Sequence, residues 1–347
     1  MRIRVTAILV LTAASWSAEI PRTPEGRPDL SGTYDIATLT PLARPVSLGD
    51  RQSLSDEESQ AIARRAAAVM AATSKASDPN RKAPPEGGDG SEGAAGNVGG
   101  YNTVWIDGGA GAFKIDGKWR TSIITDPANG RMPEITPEAK TRAAGRARMS
   151  RPNRGDAFWV TEGISPGPYD DPEMRPAAER CLSSFGSGDG PPMLPVLYNN
   201  LKKIVQTKDT VMILNEMVHS ARVIRINGEH EPPDVRRWLG DSIGRWEGDT
   251  LVVDTKNFND TPSLGGATKN LHVVERFKRI DDKSLLYQFT VEDPTMWTKP
   301  WGGEILWPAT DQRIFEYACH EGNYSFTGIL RGARLLEAEA EKKKGGK

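Results

Sequence analysis

The stretch 271-LHVVERFKRIDDKSLLYQFTVE-292 alternates along its first nine residues: Leu271, Val273, Glu275 and Phe277 share one face, His272, Val274, Arg276 and Lys278 the other. A period of two marks a strand whose faces meet different surroundings. Asp281-Asp282-Lys283 is turn chemistry, and 285-LLYQFTVE-292 resumes the apolar pattern, so the chain folds back on itself as a hairpin. Working outward, strand candidates follow at 204-IVQT-207, 211-VMILNEMV-218, 221-ARVIRI-226, 242-SIGRW-246, 250-TLVVDT-255, 303-GEILW-307 and 312-QRIFEYAC-319. Short turn signals such as Asn227-Gly228 and Glu247-Gly248-Asp249 separate them. Sequential strands joined by tight turns form an antiparallel meander, and so many leave costly unpaired edges unless the sheet curls. The expected fold is therefore mainly β: an antiparallel up-and-down, lipocalin-like barrel or strongly curled sheet, with a ligand-sized interior and two peripheral helices.

The helices are legible from their caps. In 55-SDEESQAIARRAAAVMAA-72, Ser55 and Glu58 make a capping box, and in 137-PEAKTRAAGRARM-149 Thr136 is the N-cap with Pro137 at the first helical position. The arginines of the second helix read as a solvated face. Asp116-Gly117 joins 112-AFKI-115 to 118-KWRTSIIT-125 as a hairpin expected to join the barrel. The organisation that results is a signal segment over 1–17, an N-terminal wrapping segment with a helix and a Gly-rich linker over 18–100, a barrel domain over 101–335 with an irregular insertion at 136–200, and a charged tail at 336–347.

Across 347 residues, 45 Lys and Arg face 46 Asp and Glu, which argues against a nucleic-acid partner, since phosphate binding is driven by clustered basic residues. Residues 1–17 have the order of an export signal: Arg2 and Arg4, an apolar stretch from Val5 to Ala14, then Ser15-Trp16-Ser17 before the cut. Ten apolar residues rise only about 15 Å as a helix, half of the hydrocarbon core, so no permanent membrane anchor is expected. A buried N-terminal strand or helix is the alternative. In an exported chain Cys181 and Cys319, the only two cysteines, are expected to form one disulfide; two buried free thiols are the alternative.

The chemistry expected of the barrel rests on titratable groups within apolar strands. Glu275 lies on an apolar face and must be paired, protonated or wet, because burying it unpaired costs several kcal/mol. Three of the four histidines, His219, His272 and His320, fall in the sheet region, where with Glu216 and Glu275 they are candidates for proton transfer. Arg222, Tyr324, Trp246 and Trp297 are candidates for substrate binding, Arg222 for an anionic group and the aromatic residues for a flat body. The histidine spacing contains no H-x-H or H-E-x-x-H, so no metal site is expected, and no cofactor fingerprint or G-x-S-x-G elbow occurs.

Several segments carry a resemblance: 21-PRTPEGRPDLSGTYD-35, 240-GDSIGRWEGDTLVVDTKNFND-260, 271-LHVVERF-277 and 316-EYACHEGNY-324 resemble a large family of exported, functionally uncharacterised bacterial proteins. That resemblance implies a periplasmic or secreted protein and no particular activity. Two functions are open on these grounds: a non-redox lyase, isomerase or hydrolase acting on a small organic molecule, or a non-catalytic ligand-binding or cell-envelope interaction protein. Expressed from its first residue in a bacterial host, the mature chain should begin at Ala18 by N-terminal sequencing; recovery of a chain beginning at Met1 would exclude the signal.

Overall fold

The computed structural model describes residues 20–74, 80, 106–151 and 155–345, so the signal segment and the Gly-rich linker lie outside the described residues. In chain order the early strands are β1 (Gly32–Asp35), β2 (Ser53–Leu54), β3 (Lys114–Ile115), β4 (Lys118–Arg120) and β5 (Ile124–Asp126). The later strands are β6 (Leu201–Gln206), β7 (Thr210–Asn215), β8 (Ala221–Ile226), β9 (Asp241–Glu247), β10 (Thr250–Lys256), β11 (His272–Arg279), β12 (Ser284–Glu292) and β13 (Trp301–Pro308). The helices are α1 (Asp56–Thr73), α2 (Pro137–Met149), α3 (Phe158–Thr161) and α4 (Tyr324–Gly345). Ser55 and Glu58 make the capping box of α1, and Thr136 caps α2, as the residues predict.

One curled sheet of ten strands runs β1-β6-β7-β8-β9-β10-β11-β12-β13-β5. It curls far enough that its first strand meets the extension of β13: Tyr34 bridges Ala309, and the Thr310 N–H donates to the Thr33 carbonyl at 2.9 Å. Arg279 clasps the same corner by donating to the Asp29 carbonyl at 2.6 Å. A strongly curled, mainly β sheet with helices outside it is therefore the fold.

Four details depart from the sequence expectation. First, β8 and β9 pair in parallel, so residues 227–240 are a crossover and not a tight turn. Second, 312–319 is irregular and outside the sheet. Both places beside β13 are taken, by β5 at Gly302 and Gly303 and by β1 near Ala309, so no ladder remains for another strand. Third, the hairpin at Asp116-Gly117 forms with both residues at positive φ, but β4 pairs with β3 and β2 in a separate three-stranded sheet and only β5 reaches the large sheet. Fourth, most of 336–347 belongs to α4, which buries Ala333 against Phe158, Trp159 and Tyr169 and takes a hydrogen bond from Trp159 Nε1 to Glu337 at 2.7 Å.

The sheet's interior is occupied by side chains. Tyr34, Phe277, Tyr287, Phe289, Trp301 and Trp307 are all buried there, with Tyr287 and Trp307 ring centroids 4.7 Å apart. These aromatic rings fill the concave side of the curled sheet, so the expected ligand-sized interior is a packed core. A polar rung crosses it. Arg222 on β8 donates to Ser242 on β9 at 3.0 Å and to both carboxylate oxygens of Glu275 on β11, one of them at 2.9 Å. Ser242 meets Thr255 on β10 at 2.9 Å, Tyr287 on β12 donates to Glu275 at 2.8 Å, and the Met193 N–H donates to Tyr287 at 3.0 Å. Burial raises the Tyr287 pKa well above its ordinary value, which keeps the hydroxyl a donor to Glu275.

Removing one partner of a buried pair strands the other, at a cost of about 3–5 kcal/mol, whereas removing both is often near neutral. Arg222→Met should therefore lower stability by about that amount in urea melts, and Arg222→Met with Glu275→Leu should recover most of it. Equal losses in the single and double variants would show that the pair does not act as a unit.

Candidate functional site

The residues picked out by sequence do not gather in one place. Glu275 and Arg222 are buried and bound to each other, which leaves neither for a substrate. Glu216 is buried and accepts the Phe315 N–H at 3.0 Å, tying the irregular C-terminal segment to the end of β7. The alternation through Val211, Ile213, Asn215 and Met217 stops before His219, because Val218 and His219 take positive φ in a turn. His219 is thus exposed, and its Nδ1 lies 3.0 Å from the Tyr317 carbonyl. His320 is also exposed, in the segment expected as a strand, and Tyr324 is 85% exposed at the start of α4. Trp297 is core, packed edge-on against Trp301 at 5.6 Å, while Trp246 is half-buried under Arg27. Cys181 and Cys319 are bonded, with Cα atoms 5.8 Å apart. The bond spans 138 residues, and closing a loop of that order removes about 5 kcal/mol of chain entropy from the unfolded state.

His272 faces outward from β11 and joins a cluster that the sequence did not suggest. Its Nε2 lies 3.0 Å from Asp254 Oδ2, and the other Asp254 oxygen lies 2.9 Å from His230 Nε2. His230 Nδ1 in turn lies 2.9 Å from Asp241, which also takes Arg225 at 2.9 Å and the Glu231 N–H at 2.9 Å. Both nitrogens of His230 face carboxylates, and both contacts are hydrogen bonds only when the ring carries two N–H groups. The hydrogen bond from His272, helped by His230, holds the Asp254 carboxyl down at about 2 despite partial burial. The same bond raises His272. Burial pulls Asp241 upward, but the bonds from Arg225, the Glu231 backbone and His230 outweigh it. These groups satisfy one another and pin the crossover to the outer faces of β9, β10 and β11. Among the described residues no group of His, Cys, Asp and Glu is arranged to hold a metal.

The largest concavity described opens outside the barrel. It has a volume of about 880 Å³ and lies between α2, the 169–185 segment and the 260–268 loop. Each wall is anchored. Thr136 and Arg142 of α2 donate to the Thr295 carbonyl at 2.9 and 2.7 Å, and Asp293 takes the Thr268 N–H at 2.7 Å. The 169–185 wall is fastened by the Cys181–Cys319 bond and by Asn323, which donates to the Glu179 carbonyl at 2.8 Å. Five arginines and three carboxylates line the cleft. Arg175 and Arg180 pair with Glu179 and Glu173 at 2.9 and 3.1 Å, and Arg142 and Arg151 pair with Glu138 and Glu162 at 2.6 Å each. The exposed Arg146 guanidinium has no hydrogen-bond or ion-pair partner among the described residues, and the buried Arg142 Nε and Ser183 Oγ have none either.

Two lining residues, Ser184 and Ser263, also face Asp189. Asp189 is fully buried, and neither of its carboxylate oxygens reaches hydrogen-bond geometry. Burial raises its pKa against the pull of Ser184, Ser263 and Lys202. Lys202, also buried, donates to the Gly188 carbonyl at 2.6 Å, and burial lowers it to about 8 against the charges of Asp189, Glu216 and Asp35. Sequence reasoning missed Asp189 because it lies in a Gly- and Pro-rich stretch without periodicity, and Arg146 because a helix arginine looks solvated until a facing wall is known. Arg142 and Arg146, four apart on α2, were the available signal for a shared face.

No family model, curated protein or solved structure matches the chain.

The bond to Asp254 makes His272 a source of pH-dependent stability. Its folded pKa is raised, so its contribution is complete below the unfolded value of 6.5 and is lost as pH rises through the folded value. The lowered Asp254 acts at the other end: its contribution is present above 3.8 and is lost as pH falls toward about 2. In urea melts at about pH 5, 7 and 9, His272→Ala should cost most at pH 5 and least at pH 9; a cost independent of pH would remove the ion pair from the stability of this face.

Proposed function

We propose that the protein is exported and handles a small organic molecule, and that the molecule binds in the cleft between α2, the 169–185 segment and the 260–268 loop. The observation that carries this is the cleft itself, whose volume of about 880 Å³ lies within the range of roughly 300–1,000 Å³ usual for small-molecule sites. Anchored walls support it, because a pre-formed site spends little binding energy on ordering itself. The order of basic, apolar and small residues over 1–17 supports export, as does a disulfide of the kind that persists in oxidising compartments. Among the described residues no helix is long and apolar enough to cross a membrane.

A catalytic version of this reading would draw on Asp189, a buried carboxyl that lies behind the lining residues Ser184 and Ser263 and whose pKa burial raises. A carboxyl shifted in that direction can support acid–base chemistry in a lyase, isomerase or hydrolase by positioning the groups that meet the ligand. In that version Asp189 stands behind the lining and acts through the groups in front of it, since none of His219, His272, His320, Glu216 and Glu275 lines the cleft. Asp189→Asn would then abolish turnover of a bound compound while leaving its affinity unchanged.

The binding reading is tested by filling the cleft. Ala178 is a half-buried lining residue, and Ala178→Trp puts an indole into the space. A ligand at about one hundred times its Kd stabilises a folded protein by about 2.7 kcal/mol, well within the reach of a thermal-shift screen. Compounds that raise the Tm of the wild-type chain should leave the Tm of Ala178→Trp unmoved; the same rise in both would put the ligand elsewhere.

A further inference from the structure

The cleft does not treat all ligands alike, because its unmet hydrogen-bonding capacity is one-sided. Apart from Asp260 at the rim, the unmatched groups of the lining side chains are donors or can donate: the exposed Arg146 guanidinium, the buried Arg142 Nε and the buried Ser183 hydroxyl. The lining acceptors are mostly spent, since Glu173 and Glu179 are held by Arg180 and Arg175. Asp260, at the exposed rim, is the one lining carboxylate without an ion pair among the described residues. Arg142 and Arg146 are one turn apart on α2, so their donors reach the cleft from the same face. A planar guanidinium presents five N–H groups in a fork that fits two oxygens of a carboxylate or phosphate. The rest of the lining includes apolar groups, among them Met149, Met174, Phe185 and Tyr169. Methionine and aromatic side chains suit a flat or flexible apolar body.

From this, and resting on the cleft as the ligand site, we infer that the ligand is an amphipathic organic anion, with a carboxylate or phosphate head held by Arg146, Arg142 and Ser183 and an apolar body against the methionine and aromatic side. The chain as a whole carries a formal charge of only -1, so attraction to an anion would be local to this face and not a property of the molecule at large.

Two fluorescent probes of similar body and different charge test it on the full mature chain: the anionic 8-anilinonaphthalene-1-sulfonate and the neutral N-phenyl-1-naphthylamine. Each is titrated into wild type, Arg146→Gln, Arg146→Lys and Ala178→Trp, with circular dichroism to check the fold. Arg146 is exposed and unpaired, so Arg146→Gln removes its charge without stranding a buried partner. A hydrogen bond to a charged group contributes about 1.5–3 kcal/mol, so Arg146→Gln should weaken the anionic probe by roughly tenfold or more and the neutral probe by less than about twofold. Arg146→Lys should keep much of the anion affinity, inorganic phosphate and citrate should compete with the anionic probe alone, and Ala178→Trp should exclude both probes. If Ala178→Trp excludes both probes but Arg146→Gln changes neither, the cleft stands and the anion inference falls. An equal loss of both probes in Arg146→Gln also overturns it, because the residue would then shape the cleft and not bind charge. If Ala178→Trp changes neither probe, the cleft is not the ligand site, and that reading falls first.

Discussion

Two opposite charges shut away from water, Arg222 on β8 and Glu275 on β11, form the constraint on which the rest of this structure depends. An isolated buried charge is so costly that each requires the other, and each also needs its remaining hydrogen-bonding sites filled. Ser242 on β9, Thr255 on β10 and Tyr287 on β12 meet that demand, so one polar rung links five consecutive strands through the packed interior. A slip of one residue between any two of these strands would turn a member of the rung outward and break it. The rung therefore selects a register that apolar packing alone would leave less specified. It extends to Met193, which brings the irregular 181–200 segment onto the end of the barrel.

Filling the interior in this way moves any ligand chemistry outside it. Once the barrel is occupied by aromatic rings and a closed ion pair, the remaining large space is where the irregular segments meet α2. Tyr169, Leu264 and Ala267 bury these segments in the apolar clusters. Discrete fasteners add to that hold: the Cys181–Cys319 bond, the Asp293 contacts to Thr268, and the donors of Thr136 and Arg142 to the Thr295 carbonyl. The His230, Asp241, Asp254 and His272 cluster does similar work on the outer face of the sheet, where it holds the parallel connection between β8 and β9. Barrel and fasteners divide the task, the first supplying a rigid frame and the second fixing the loops that shape a concave site.

Much of the frame was legible in the residues. The alternation in β11 placed Leu271, Val273, Glu275 and Phe277 inside and His272 outside, and the structure agrees at each position. The caps of α1 and α2 were equally plain, because capping is chemistry between residues three apart. Where reasoning along the chain went astray, partners lay far off in sequence. The segment 312–319 carries a strand pattern, but a strand needs a free edge, and β1 and β5 had taken the places beside β13. His219 follows the alternation of Val211, Ile213, Asn215 and Met217, and positive φ at Val218 and at His219 itself turns it to the surface. The site was less legible than the fold. Asp189, Ser184 and Ser263 come together across some eighty residues of intervening chain, and nothing local to any of them announces the others.

The amino-acid sequence by itself determined most strands of the large sheet and the faces of β11, the helix caps and the presence of a single possible disulfide. Each of these follows from interactions within a few residues or from simple counting. Tertiary structure alone decided that Arg222 and Glu275 spend their charges on each other, that aromatic rings fill the concave side of the sheet, and that Arg146 lines a cleft. Pairing, burial and vacancy depend on which groups meet across long stretches of chain, and a buried charge or an unmet donor acquires its meaning only from the neighbours that folding brings to it.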